Sequence, residues 1–156
     1  MPAVDRPRGL AASALIETAE GPVVMADTPN KGFAVLTRLP SGELGFRQLI
    51  KVQSQDAVPL VRVVLDSGHS VVVAEGHPFF RPGHEAVAAA DLKPGDRLET
   101  AFQYPDGYVP PDLRAVPHAW GVSVKAVEPA GDGPVMTGIV RDTHALFVTA
   151  GVLCGE

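Results

Sequence analysis

The pattern of hydrophobic and polar positions predicts short β-strands along most of the chain. Apolar residues do not recur at helical spacing over any long stretch, whereas valine- and leucine-rich runs alternate with turn-forming residues. Residues 35–39 and 45–49 flank a Pro-Ser-Gly-Glu turn, and residues 60–65 and 70–74 flank Asp-Ser-Gly, so each pair predicts a hairpin. Further strands are predicted at residues 97–103, 122–127, 134–141 and 145–149.

Residues that break helices limit the alternatives to this all-β interpretation. Only residues 85–92 permit a helical turn, and Pro94 and Gly95 end it. Residues 105–117 contain four prolines and are predicted to form an exposed loop. With 16 glycines and 15 prolines among 156 residues, long helices are disfavoured. We therefore predict one all-β domain, long enough to bury a substantial core.

Two internal similarities suggest how this domain is organised. Residues 66–76 resemble residues 142–151, since each stretch has an aspartate, then a histidine, then a valine-containing strand. Residues 26–32 resemble residues 90–95 in the same way, from an Ala-Asp pair to a glycine. Two copies predict a pseudo-two-fold β domain, because a solenoid needs at least three repeats. The alternative is that valine-rich strands resemble each other by chance.

Charge and cysteine content exclude several classes of function. The chain has 13 Lys and Arg against 18 Asp and Glu, a net charge of −5, so we expect no nucleic-acid and no membrane partner. No apolar run approaches the roughly 18 residues of a membrane-spanning helix, and the first nine residues lack the apolar core of a secretory signal. A cytoplasmic location is the default expectation. The single cysteine, Cys154, excludes an internal disulfide framework and a multi-cysteine zinc site.

Five sequence motifs, in order, resemble the Hint family of inteins and hedgehog autoprocessing domains. The most specific is residues 65–79, LDSGHSVVVAEGHPF, which is similar to the family segment that ends in Thr, two further residues, His and Pro. The others are residues 15–23, LIETAEGPV; 88–98, AAADLKPGDRL; 138–148, GIVRDTHALFV; and 151–153, GVL. The resemblance covers residues 9–156, leaves residues 1–8 as an N-terminal flank, and implies the Hint fold.

The resemblance also implies where the functional residues lie. Its nucleophilic Cys or Ser precedes the threonine that matches Thr18 by nine residues and falls on Gly9. The threonine of the His-Pro motif falls on Ala74, and its histidine is retained as His77. The histidine before the penultimate strand is retained as His144. The last two family residues, histidine and asparagine, fall on Gly155 and Glu156.

These replacements matter because each lost side chain has its own chemical role. A thiol or hydroxyl must attack the preceding peptide carbonyl, and glycine has neither. The terminal asparagine releases the downstream segment by cyclising, and glutamate cyclises far less readily. The resemblance therefore implies an autoprocessing domain, of the protein-splicing or self-cleaving kind, that is inactive as written. It implies flanking or host polypeptide segments as partners, no cofactor and no metal. It also implies that Gly9 and Glu156 lie close together near His77.

Each candidate residue has a simpler structural interpretation. His77 precedes proline and is also compatible with a turn cap, while His144 is compatible with a histidine satisfied in the core or in a turn. Cys154 is either a small buried hydrophobe or a thiol activated by His77. Ser13 is the nearest hydroxyl to the nucleophile position. A zinc site formed by histidines of the two similar hairpins lacks support from their spacing.

Three functional hypotheses follow from these residues. The first is a degenerate or inactivated Hint autoprocessing domain. The second is a catalytically silent β-rich module that binds or spaces other polypeptides. The third is a hydrolase that uses Cys154 and His77. Self-cleavage separates the first from the second, and the reactivity of the thiol tests the third.

Overall fold

A computed structural model describes residues 6–101, 122–148 and 151–156. The described residues form twelve strands and two 3₁₀ turns, at Met25–Asp27 and Ala89–Asp91. The strands are β1 (Leu10–Ala11), β2 (Leu15–Thr18), β3 (Gly21–Val24), β4 (Ala34–Arg38), β5 (Leu44–Leu65), β6 (Ser70–Ala74), β7 (Pro78–Arg81), β8 (Glu85–Ala88), β9 (Arg97–Leu98), β10 (Val122–Val140), β11 (Ala145–Val148) and β12 (Val152–Gly155).

The two long strands β5 and β10 organise the molecule. They pair antiparallel from Leu65 opposite Val124 to Leu49 opposite Val140, with several shifts of register. One shift lies between Thr137 and Ile139 of β10, close to where Lys51 of β5 takes a positive φ of 54°. Such bulges bend a strand and increase its twist, so one long strand can serve two parts of a sheet. Accordingly, the first part of β5 pairs with β4 and its last part with β6.

The sheet has the order β8-β7-β12-β11-β2-β4-β5-β6-β1-β10-β9, with β3 paired to β2 and β5 also paired to β10. β5 turns into β6 and β10 turns into β11, so both similar sequence segments follow the end of a long strand. The all-β, pseudo-two-fold prediction is confirmed. Both predicted hairpins, β4–β5 and β5–β6, are confirmed as well.

Other predictions about the elements need correction. The strands predicted at 122–127 and 134–141 form one strand, β10, which ends at Val140, because a register shift between Pro129 and Asp132 absorbs Gly131, at φ 74°. The predicted helical turn at 85–92 is wrong. Residues 85–88 pair with β7 as a strand and only 89–91 form a 3₁₀ turn, since strand pairing outweighs a weak local preference.

Of the predicted strand at 97–103, the described residues 97–101 contain β9 and an isolated bridge from Thr100 to Val152, while residues 102–103 lie outside the described residues. The proline-rich segment 105–117 lies outside the described residues. In the part of the chain that the structure describes, no helix is long and apolar enough to span a bilayer.

Both ends of the described chain converge on one turn. β1 lies between β6 and β10, and β12 lies between β7 and β11. The turn that joins β6 to β7, residues 75–77, therefore lies beside the start of β1 and the end of β12. The main hydrophobic core surrounds this region, and Leu10, Phe79 and Cys154 are fully buried members of it. This convergence places Gly9, His77 and Gly155 together.

Candidate functional site

His77 bridges the two ends of the described domain. The Gly9 backbone N–H donates to His77 Nδ1 at 3.1 Å, and His77 Nε2 lies 2.8 Å from the Gly155 carbonyl oxygen. Since Nδ1 accepts, the ring hydrogen is assigned to Nε2, which then donates to the Gly155 carbonyl. One imidazole thus contacts Gly9, where the resemblance places the lost nucleophile, and Gly155, where it places the lost penultimate histidine, and the two residues lie on opposite sides of the ring.

Burial keeps this imidazole neutral. The His77 side chain has 0% exposure, and its desolvation lowers the pKa from the ordinary 6.5 to about 4. The hydrogen bond to the Gly155 carbonyl opposes this effect, whereas the nearby Arg8 guanidinium adds to it. At neutral pH the ring therefore carries its one hydrogen at Nε2 and accepts the Gly9 N–H at its unprotonated Nδ1.

Backbone hydrogen bonds hold His77 in this orientation. Its N–H donates to the Ala74 carbonyl at 3.0 Å, and its own carbonyl accepts from the Ala89 N–H at 2.9 Å. The Phe79 ring packs edge-on against the imidazole, with the ring centres 6.2 Å apart. Ala74 itself donates its N–H to the Gly9 carbonyl at 2.9 Å. The backbone therefore fixes the turn, and Ala74 supplies no hydroxyl to it.

The space beside Gly9 is already filled. A Cβ built on Gly9 would lie 2.7 Å from Val135 Cγ2, 2.8 Å from Val135 Cβ and 3.2 Å from the Met136 carbonyl oxygen. Gly9 also has φ 139°, in a region that residues with a Cβ rarely adopt. A nucleophile introduced here would therefore need the neighbouring strand β10 to give way.

Gly155 is enclosed in a similar way. A Cβ at this position would lie 2.6 Å from Pro78 Cγ. Because β12 and β7 are neighbours in the sheet, Pro78 cannot retreat without disturbing that pairing. A side chain at 155, such as the histidine that the family has, does not fit. The positions of the lost nucleophile and of the lost penultimate histidine are thus both packed around glycine.

Glu156 and His144 contact each other. Glu156 accepts from the Val140 N–H through Oε2 at 2.5 Å and from His144 Nδ1 through Oε1 at 2.9 Å. His144 has φ 54° and a side chain that is 66% exposed. The buried Thr37 hydroxyl bonds Thr143 at 2.8 Å and the Ala145 carbonyl at 2.7 Å, which fixes the turn around His144. His144 thus contacts the C-terminal residue, and we observe no hydrogen bond from it to the His77 ring among the described residues.

The structure corrects the interpretation of Cys154 as a nucleophile. Cys154 is fully buried in the hydrophobic core, opposite Phe79 in the pairing of β12 with β7. Desolvation raises the pKa of the thiol far above its ordinary range. A buried thiol without a thiolate form is chemically inert. The Cys154–His77 hydrolase is therefore not supported.

The remaining candidates lie elsewhere or carry no ligand geometry. Ser13 is exposed in the turn between β1 and β2, beside Arg62 and Ser70 in a small cleft. His69 lies in the exposed β5–β6 turn, and the exposed His84 stacks on Phe80. Within residues 6–101, 122–148 and 151–156, no three His, Cys, Asp or Glu side chains cluster as a metal site.

Sequence reasoning missed four residues at this site. Val135 and Pro78 fill the junction space, while Gly76 and Asp91 contact the segment before Gly9. Gly76 lies inside the motif at residues 65–79, directly before His77. Its place in that motif was the sequence signal that could have pointed to a role at the site. Asp91 lies inside the motif at residues 88–98, and nothing in that motif indicates a contact with Arg6. Val135 gave no signal, because its contact with Gly9 spans more than a hundred residues of sequence.

Solved intein structures resemble this chain along nearly its whole length. An Ssp DnaB mini-intein variant matches with TM-score 0.79 at 11% identity, covering 99% of this chain and 96% of that one. A bacterial intein-like domain from Clostridium thermocellum matches with TM-score 0.76 at 18% identity, over 96% and 99%. A DnaB intein from Synechocystis matches with TM-score 0.74 at 12% identity, over 96% and 99%.

At these identities the likeness establishes the fold. The protein has the all-β Hint fold that these inteins share, as its sequence motifs predict. No protein-family model matches the chain, and no curated protein matches it significantly.

Proposed function

We propose that this chain is a Hint autoprocessing domain that has kept its junction architecture and lost its cutting chemistry. The observation that carries the proposal is the contact of Gly9 N–H with His77 Nδ1 at 3.1 Å, with the Gly155 carbonyl on the other ring nitrogen. A histidine in contact with the nitrogen of residue 9 is positioned to assist cleavage of the peptide bond between residues 8 and 9. Flanking polypeptide segments are the substrate that this arrangement fits.

The chemistry explains why His77 faces the Gly9 nitrogen. In the first step of autoprocessing, a nucleophile on residue 9 attacks the carbonyl carbon of residue 8, and the bond from that carbon to the Gly9 nitrogen breaks. The nitrogen then needs a proton to leave as an amine. His77 Nδ1 lies 3.1 Å from that nitrogen, so it can take the proton of the attacking thiol or hydroxyl and pass it to the leaving nitrogen. A neutral, buried imidazole suits this task because it can both accept and return a proton.

Several independent features of the site support inactivity. Gly9 has no nucleophile, Ala74 has no hydroxyl, and Gly155 has no imidazole. Glu156 uses both carboxylate oxygens as acceptors, from the Val140 N–H and from His144. A general acid or base alone supplies roughly 10²–10⁴-fold, which is small compared with the barrier to amide hydrolysis. We therefore expect no splicing and at most very slow self-cleavage.

The test follows the intact mass of the chain between short added flanking peptides, with and without dithiothreitol. The chain as written should keep one mass. The restored variant combines Gly9→Cys with Val135→Ala, which frees the space for a side chain, and with Ala74→Thr, which returns the missing hydroxyl. This variant should show thiol-induced cleavage between residues 8 and 9.

Two matched controls make the result specific. Gly9→Ala in the same Val135→Ala, Ala74→Thr background has the same space without a thiol and should stay intact. His77→Ala added to the restored variant should abolish cleavage. Rapid cleavage of the unmodified chain would overturn the inactive state, and an inert restored variant would overturn the retained junction architecture.

A catalytically silent module that spaces or holds other polypeptides is the second candidate function. It is favoured by the packing of Val135 against Gly9 and of Pro78 against Gly155, because these contacts stabilise uncut junctions. Persistence of the uncut chain together with an inert restored variant would select this alternative.

A further inference from the structure

We propose that the turn at residues 74–76, together with Asp91, is a binding site for the polypeptide that leads into the junction, and that it favours a cationic side chain three residues before Gly9. This inference rests on the proposed function, because it specifies which flanking segment the junction receives. The site was not evident from the motifs, which cover residues on only one side of the contact.

Backbone pairing carries the flank along this turn. Leu10 of β1 lies opposite Val73 of β6, and the pairing continues towards the N-terminus. The Ala74 N–H donates to the Gly9 carbonyl at 2.9 Å, and the Gly76 N–H donates to the Pro7 carbonyl at 3.0 Å. The flank therefore extends the β1–β6 pairing as an added strand segment, a common way to bind an extended peptide.

Gly76 is needed for this close approach. A Cβ at Gly76 would collide with Arg6 Cβ and would lie 2.6 Å from the Pro7 carbonyl oxygen. Gly76 is not among the glycines with positive φ, so its own backbone conformation does not require glycine. What excludes a side chain at this position is the flank itself. Pro7 contributes from the other side, because its ring holds φ in the extended range.

Charge gives the site its preference. Arg6 Nη1 lies 2.9 Å from Asp91 Oδ1, with the two side chains 42% and 56% exposed. This hydrogen bond is the main reason why the pKa of Arg6 is raised, and the Asp91 and Glu75 charges act in the same direction. The guanidinium is thus paired with one carboxylate, Asp91, and attracted by the charge of a second, Glu75. An acidic residue at position 6 would be repelled by both.

Asp91 is coupled to the junction histidine through the backbone. It ends the 3₁₀ turn Ala89–Asp91. The Ala89 N–H of that turn donates to the His77 carbonyl at 2.9 Å, and the Ala90 N–H donates to the Glu75 carbonyl at 2.9 Å. The 3₁₀ turn that binds Arg6 of the flank therefore also orients His77. A bound flank thus places the Gly9 nitrogen against the imidazole ring.

The test uses trypsin, which can cut after Arg8 only when the flank leaves the turn, whereas the Arg6–Pro7 bond resists trypsin. The rate of appearance of the fragment that begins at Gly9 is followed by mass spectrometry on the full chain. Gly76→Ala should raise this rate at least tenfold. Asp91→Asn should raise it by up to about fivefold, as expected for an exposed ion pair.

Two further variants separate recognition from general destabilisation. Asp142→Asn removes the partner of Arg47 in another exposed ion pair and should leave the rate unchanged. Arg6→Glu should raise the rate, and adding Asp91→Lys should restore protection. Both are surface changes, so they test the charge preference even where Gly76→Ala fails to fold.

Equal rates for Arg6→Glu with and without Asp91→Lys would overturn the charge preference. A folded Gly76→Ala chain that is cut at the parental rate would overturn flank binding. None of these trypsin measurements requires self-cleavage. Flank binding can therefore be refuted while the restored variant still cleaves, and flank binding can be supported while the restored variant stays intact.

Discussion

Lowering the pH should destabilise the protein through His77. The pKa of this histidine is about 4 in the folded chain against 6.5 for the ordinary group. The unfolded chain therefore binds more protons between these values, and its stability relative to the folded chain grows as the pH falls. The stability that the neutral ring provides is complete above pH 6.5, declines as the pH falls, and is lost below about 4.

The magnitude follows from the size of the pKa shift. One pKa unit corresponds to about 1.4 kcal/mol, so a shift from 6.5 to about 4 gives a maximal loss of about 3 kcal/mol. Most of it falls within an accessible range, since we expect about 2 kcal/mol of loss between pH 7 and pH 5. That is a large share of the free energy of unfolding of a small domain, which is about 5–15 kcal/mol.

The assay is urea denaturation at pH 7, 6 and 5 for the parent chain and for His77→Gln. The glutamine amide can still donate towards the Gly155 carbonyl, but it does not titrate. We expect the variant to be less stable than the parent at pH 7, and its free energy of unfolding should change less with pH because the His77 contribution is gone. The His69→Gln variant changes a histidine in the exposed β5–β6 turn, away from the junction, and should keep the parental slope.

A parent chain and a His77→Gln variant with the same pH slope would refute the argument. Such a result would mean that His77 is hydrated, or charged, in the folded protein. A charged ring carries a hydrogen on both nitrogens, so its Nδ1 could no longer accept from the Gly9 N–H, and that hydrogen bond would be lost.

Two further predictions concern the packing around the junction. Gly9→Ala should destabilise the chain by about 2–4 kcal/mol, because the new methyl group meets Val135 and the φ of 139° becomes strained. Val135→Ala should remove the steric part of this loss. Gly9→Ala should therefore lower the urea midpoint less in the Val135→Ala background than in the parent chain. Cys154 should not react with a thiol reagent in the folded chain and should react at once in urea, because it is fully buried. Rapid labelling without denaturant would contradict the packing of β12 against β7.

The local sequence was sufficient to predict the hairpins whose turns contain residues with strong turn preferences. Pro40 to Glu43 and Asp66 to Gly68 mark two hairpins that the structure contains, because turn residues act through their own backbone preferences. The motif order was sufficient for the Hint fold. His77 could be singled out for the same reason, since it lies within a motif whose residues are close in sequence.

Only the tertiary structure decided the long-range pairings. Strand β10 continues through Gly131 because β5 lies alongside it, and residues 85–88 form a strand because β7 pairs with them. A local pattern contains no information about such partners, so it predicts two strands in the first case and a helical turn in the second.

The state of the junction was decided in the same way. A glycine at position 9 is visible in the sequence, but Val135 lies 126 positions further on, and their contact exists only once β1 pairs with β10. The ion pair of Arg6 with Asp91 likewise joins residues 85 positions apart. Sequence reasoning could name the lost nucleophile, because that loss is a matter of residue type. The filling of its space is a matter of packing, which depends on residues that only folding brings together.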